Sequence, residues 1–207
     1  MRARALLPLF GILAVALVVG SFVVIGETPD GNDSLSKIVS FYRAHDSDVQ
    51  AGGIMLMAAA AAFLAWAVQV RSLLFLAEGG SATRATMGLV GSAVFAIGLA
   101  IFAGISIALG DSPDKLSPAA LQALNSLSAD LFPPLAVGGV IMLFGFGLAT
   151  LSTRALPVWL GWVAVIGGVG ALTPAWFVPF IALGVFIIVS SVIMATRVPG
   201  GAVTAAP

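Results

Sequence analysis

The sequence predicts an all-α fold, an integral membrane six-helix bundle with two short outer amphipathic helices. Three observations carry this. Of 207 residues, 60% are hydrophobic and only 9% charged, with a mean hydropathy of +1.12; a soluble domain has about 45–50% apolar and roughly 25% charged residues. The apolar residues fall into six runs, about 6–25, 51–70, 85–108, 134–151, 156–173 and 176–196, each approaching the ~20 residues that cross ~30 Å of hydrocarbon. The few charges are sorted between alternate loops. This composition excludes a soluble globular enzyme and a disordered chain. A net charge of zero leaves no global field to attract nucleic acid.

The first run follows Met1-Arg-Ala-Arg-Ala5. A cleaved signal peptide has an apolar core of about 7–15 residues before a small-x-small site. Gly20, Ser21 and Gly26 leave that alternative open, but the length of the run favours an uncleaved span. In the following loop, Asn32-Asp33-Ser34 is a helix start, because a short polar side chain accepts from exposed backbone N–H groups. Leu35, Ile38, Val39 and Tyr42 then recur at helical spacing, with Lys37, Ser40 and Arg43 opposite.

The second and third spans follow. The next loop repeats the plan: Ser117 is a cap, and Pro118 sits where a missing N–H costs nothing. Ala120, Leu124, Leu127 and Leu131 form the predicted apolar face, with Gln122, Asn125 and Ser126 away from it. Pro133-Pro134 ends this helix and begins the fourth span. Thr173-Pro174 is a tight hairpin between the fifth and sixth spans, with a re-entrant segment as the alternative. Both loop helices are expected to lie on the outer membrane surface or to roof the bundle. The matching stretches Gly52-Gly53 and Gly138-Gly139, each opening the span after a loop helix, suggest a parallel internal repeat. Residues 1–197 are expected to form one transmembrane domain and 198–207 a flexible cytoplasmic tail.

Loop charges set the orientation. Arg2, Arg4, Arg71, Arg84, Arg154 and Arg197 fall on one side, and Lys37, Arg43 and Lys115 on the other. Glu78 joins the first set, and the eight remaining acids join the second. The positive-inside rule then places both termini in the cytoplasm of a multi-pass plasma-membrane protein. Trp159 and Trp162 open the fifth span at the inner face and Trp176 the sixth at the outer face, at headgroup depth. Trp66 fits an inner headgroup position or a packing role equally well.

Lipid tails are as apolar as Leu, so small residues that let backbones approach must hold such a bundle together. Gly91 and Gly98, Gly138 and Gly145, and Gly161 and Gly168 are each seven residues apart on consecutive spans. They are expected to pack the third, fourth and fifth spans closely.

Candidate chemistry is sparse. There is no Cys and one His, which excludes thiolate metal sites and disulfides and leaves few general bases. No phosphate loop, zinc-protease motif, nucleophile elbow or dinucleotide fingerprint occurs, so no catalytic residue and no cofactor are assigned. No charged residue lies mid-span, which argues against a pump or a proton-driven carrier. His45, Asp46 and Asp48 could bind a divalent metal, with Asp111 and Asp114 on the next outer loop. Arg71 could snorkel to the headgroups or face a lipid phosphate, with Trp159 and Trp162 at the same depth.

Ser40-Phe-Tyr-Arg-Ala-His45, the segment Leu116 to Asn125, and Ala155-Leu-Pro-Val-Trp-Leu-Gly-Trp162 followed by Leu172-Thr-Pro carry a resemblance. From about Asp30 to Arg197 the chain resembles a group of small multi-span membrane proteins, common in actinobacteria and uncharacterised, a domain of unknown function. The resemblance implies the six-span architecture and no reaction or ligand. The expected function is a non-enzymatic accessory or interaction component that binds lipid or a membrane-protein partner, a second copy included. The alternatives are a carrier or channel for a small or apolar solute, and a membrane enzyme or metal site built on His45 and the outer acids.

Overall fold

The computed structural model describes residues 7–79, 82–111, 113–171 and 177–196. A single 3-10 turn, Leu7–Leu9, leads into α1 (Phe10–Ile25). Then come α2 (Leu35–Ala44), α3 (Asp46–Ala77), α4 (Thr83–Asp111), α5 (Pro118–Ala129), α6 (Phe132–Thr153), α7 (Val158–Gly170) and α8 (Phe177–Thr196). No strand occurs among the described residues.

Local chemistry sets most boundaries. α1 stops at Gly26, whose φ of 72° suits glycine and whose N–H still reaches Phe22 O at 3.0 Å. Ser34 Oγ accepts from Lys37 N and caps α2, and Ser117 Oγ accepts from Ala120 N and caps α5. Ser117 and Pro118 thus sit where the sequence places them. His45, with φ −127°, is the joint between α2 and α3. Pro133 and Pro134 occupy the first turn of α6, where no intrahelical donor is needed.

Among the described residues, five stretches are long and apolar enough to cross a membrane: Leu7–Ile25, Asp46–Ala77, Thr83–Asp111, Pro118–Thr153 (α5 and α6 together) and Val178–Thr196. The chain is therefore a multi-pass membrane protein. The expected fifth span is the exception. Its helix is α7, 13 residues, about 20 Å at 1.5 Å per residue, because Pro157 fixes its start and Ala171 caps its end. The Thr173-Pro174 hairpin, Trp176 and the 198–207 tail lie outside the described residues. α3 and α4, at 32 and 29 residues, overrun their apolar cores because polar residues such as Asp46, Asp48 and Gln50 continue the helix.

The helices form a ring in the order α1, α3, α4, α6, α7, α8, with α8 returning to α1. Each neighbouring pair is antiparallel. Thus Gly53 lies against Ala103 and Ile107, and Gly110 against Asp46 and Gln50; Gly98 lies against Pro134 and Leu135, and Gly145 against Gly88 and Arg84. Gly11 on α1 meets Ser191 near the end of α8, so the two ends of the described chain come together. This gives the bundle two chemically different ends. Arg71, Glu78, Arg84 and Arg154 lie at the first; at the second lie every other described acid, Lys37, Arg43, Lys115, α2 and α5.

The α4–α6 seam has the closest backbone approach. A methyl group at Gly91 would strike Met142 N and fall 2.8 Å from Gly138 O; one at Gly138 would strike Phe95 N; one at Gly145 would strike Gly88 N and fall 2.9 Å from Arg84 O. The obstacles are backbone atoms, which no rotamer change moves. Gly98 faces the same seam more loosely, 3.2 Å from Pro134 Cβ. Gly161 faces Leu151 and Gly147, and Gly168 faces Phe144, both across α6–α7.

Candidate functional site

Three features stand out: a cap, an aromatic centre and the basic end. In the cap, α2 and α5 pack together over a small core of Ile25, Ile38, Tyr42, Val49, Leu109 and Leu121. Tyr42 Oη donates to Asn125 Oδ1 at 2.6 Å, and Asn125 Nδ2 donates to Pro29 O at 3.2 Å, across 83 and 96 residues of sequence. Tyr42 and Asn125 are 1% and 2% exposed. The α5 face therefore differs from the sequence expectation. Asn125 points inward one turn from Leu121, while Leu127 is 50% exposed. A buried hydroxyl and a buried carbonyl need partners, and Asn125 supplies an acceptor to one and a donor to the other.

Burial pushes the Tyr42 hydroxyl up to about 12. A folded-state value above the ordinary tyrosine value of 10.0 means that the clamp is fully present below about pH 10 and is lost as pH rises through about 12. The chain has one Tyr, so tyrosinate absorbance reports it alone. Its midpoint is expected near 12 in the native protein and near 10 in denaturing detergent. A native midpoint near 10 would place the hydroxyl in water and remove the clamp.

At the aromatic centre, Trp66 is fully buried, which settles its role as packing. Its indole N–H donates to Ser190 Oγ at 3.2 Å, and the Ser190 hydroxyl in turn donates a hydrogen bond to Ile187 O. Phe146 and Phe186 meet Trp66 edge-on at 6.2 Å, and Phe63 bridges Trp66 to Phe95. Four helices and α1's Gly11, whose added methyl would strike Ser191, converge on this ring cluster. Nearby, α6, α8 and Phe95 leave a crevice with apolar lining and about 10 Å³ of open space, no more than one water needs.

At the basic end, Glu78 is tucked in with its side chain 5% exposed, 3.5 Å from Arg84 Nε and accepting from Ala85 N at 3.2 Å. Arg71 lies over the Phe75 ring at 4.8 Å. Arg154 caps α6 in the left-handed conformation, φ 55°, with its N–H on Thr150 O. Trp159 and Trp162 are 52% and 54% exposed on the first turns of α7. Arg71 and these two tryptophans stand on helices that are not ring neighbours, so they do not form one pocket.

His45, Asp46 and Asp48 are exposed at the α2–α3 joint. The His45 ring stacks on Phe41 at 4.6 Å, with Nδ1 3.1 Å from Phe41 O, and Asp46 accepts from Ser47 N. Among the described residues no three His, Cys, Asp or Glu side chains gather in a metal-sized group. Sequence reasoning missed Asn125 and Gly88, since both are defined by partners on other helices.

A family model described as a domain of unknown function, DUF4386, matches residues 5–205. No curated protein and no solved structure matches the chain.

Proposed function

We propose that this chain, which belongs to the family described as a domain of unknown function, DUF4386, is a non-enzymatic component of the plasma membrane that works through its surface, by binding lipid or a membrane-protein partner. α7 is the short member of six crossings in this reading, and both termini are cytoplasmic. Arginine placement supports the orientation, since loop Lys and Arg counts set topology.

The observation that carries the proposal is the filled interior. Phe63, Trp66, Phe95, Phe146 and Phe186 pack against one another in the space between the helices. A solute path needs room and polar groups to replace hydration, whereas the chemistry of this chain is concentrated at its two ends. Two measurements test this. Purification in mild detergent should retain a stoichiometric lipid or membrane protein, and reconstituted vesicles should remain as tight as empty ones to small polar and apolar solutes. Saturable flux in those vesicles would overturn the reading.

A further inference from the structure

We infer that the basic end binds the headgroups of anionic phospholipids, through arginines that the protein leaves without carboxylate partners. This rests on the surface-binding reading above and names its ligand. By sequence, six arginines and one glutamate belong to this end, a net +5, and three cations and eight acids to the other, a net −5. The two ends treat their cations differently. At the acidic end every cation is paired: Lys37 with Asp33 at 2.7 Å, Arg43 with Asp114 at 3.1 Å, and Lys115 with Asp111 at 2.9 Å. At the basic end Glu78 is taken by Arg84 and the start of α4. Arg71 and Arg154 have no carboxylate within reach among the described residues, and the remaining segments contain no Asp or Glu.

Residue choice points to phosphate. Every cation at this end is Arg, and both lysines lie at the other. The guanidinium is a rigid planar fork that matches phosphate oxygens two at a time, which an ammonium does not. Arg71 is held over Phe75, and the backbone of Arg154 is fixed by its bond to Thr150 O. Trp159 and Trp162 add half-exposed indoles, the side chain favoured at headgroup depth. The arginines stand on different helices, so the ligand is a collar of headgroups and not one enclosed lipid.

The test uses the full chain in zwitterionic detergent, titrated separately with phosphatidylglycerol, phosphatidylcholine and inorganic phosphate, and read by melting temperature and native mass spectrometry. Phosphatidylglycerol should bind about tenfold more tightly than phosphatidylcholine. Arg71→Gln and Arg154→Gln should each lose about fivefold, the effect of one surface cation on an anionic lipid, with melting in phosphatidylcholine unchanged. Arg43→Gln, at the acidic end, should lose nothing. Equal binding of the two lipids, an equal response to inorganic phosphate, or an equal loss in Arg43→Gln would each overturn the inference. If the lipids bind equally but a membrane protein co-purifies, the lipid assignment fails and the surface-binding reading stands. Saturable flux in vesicles would instead defeat that reading.

Discussion

Gly145→Leu is expected to cost about 3 kcal/mol or more and to leave little folded protein in detergent, the upper range for forcing atoms into a close-packed contact. The added side chain would meet Gly88 N and Cα and Arg84 O, which belong to the α4 backbone. Only separating α6 from α4 would relieve this, and that separation would open the seam that also seats Gly91 against Gly138. Gly104→Leu is the matched control. Gly104 is on α4 too, but an added methyl there meets nothing within 4 Å. Its melting curve should overlay that of the parent. Similar losses for the two variants would show that glycine content, not this contact, governs stability.

The comparison of these two glycines also shows what can be read from a sequence. The seven-residue spacing of Gly138 and Gly145 is visible in the chain. That Gly145 meets a backbone while Gly104 faces outward is not, because it depends on which helix lies beside each. Ser34 and Ser117–Pro118 are legible because a cap bonds to a residue three positions away. Asn125 is not, because its partners are Tyr42 and Pro29; by helical spacing alone it belongs to the polar face. Run lengths locate the spans to within a turn or two but misjudge α3, whose polar first turn is helical, and α7, whose apolar run outlasts its helix. At the site level, charge sorting along the chain is legible. That the cations of one end are paired while Arg71 and Arg154 at the other have no carboxylate within reach among the described residues requires the folded geometry.

Trp66→Ala should cost about 3–5 kcal/mol, the usual range for truncating a large buried aromatic. The loss would leave a cavity lined by Phe63, Phe146, Phe186 and Gly11 and would remove edge-to-face contacts to two rings. Ser190 keeps a partner, since its hydroxyl already donates to Ile187 O, so the cost is packing and not an orphaned hydroxyl. Trp66→Phe should recover more than half of the melting temperature lost in Trp66→Ala. If Trp66→Ala melts within 2 °C of the parent, Trp66 is not the centre of the core, and the filled-interior reading loses its main support. The variant also bears on function: a cavity at this position should leave phosphatidylglycerol binding intact, because the arginine collar lies beyond it.

Both functional proposals stand on sidedness, with the arginine end facing the cytoplasmic leaflet and the α2–α5 cap facing outward. The natural chain has no Cys, so single cysteines can report this directly. Ser36→Cys lies in the cap, Ser152→Cys near the α6–α7 turn, and Ala175→Cys between α7 and α8. Labelling whole cells with a membrane-impermeant maleimide should modify Ser36→Cys and Ala175→Cys at once, and Ser152→Cys only after permeabilisation. Protection of Ala175→Cys would remove α7 as a crossing, and labelling of Ser152→Cys in intact cells would contradict the cytoplasmic placement of the arginines and with it the central claim.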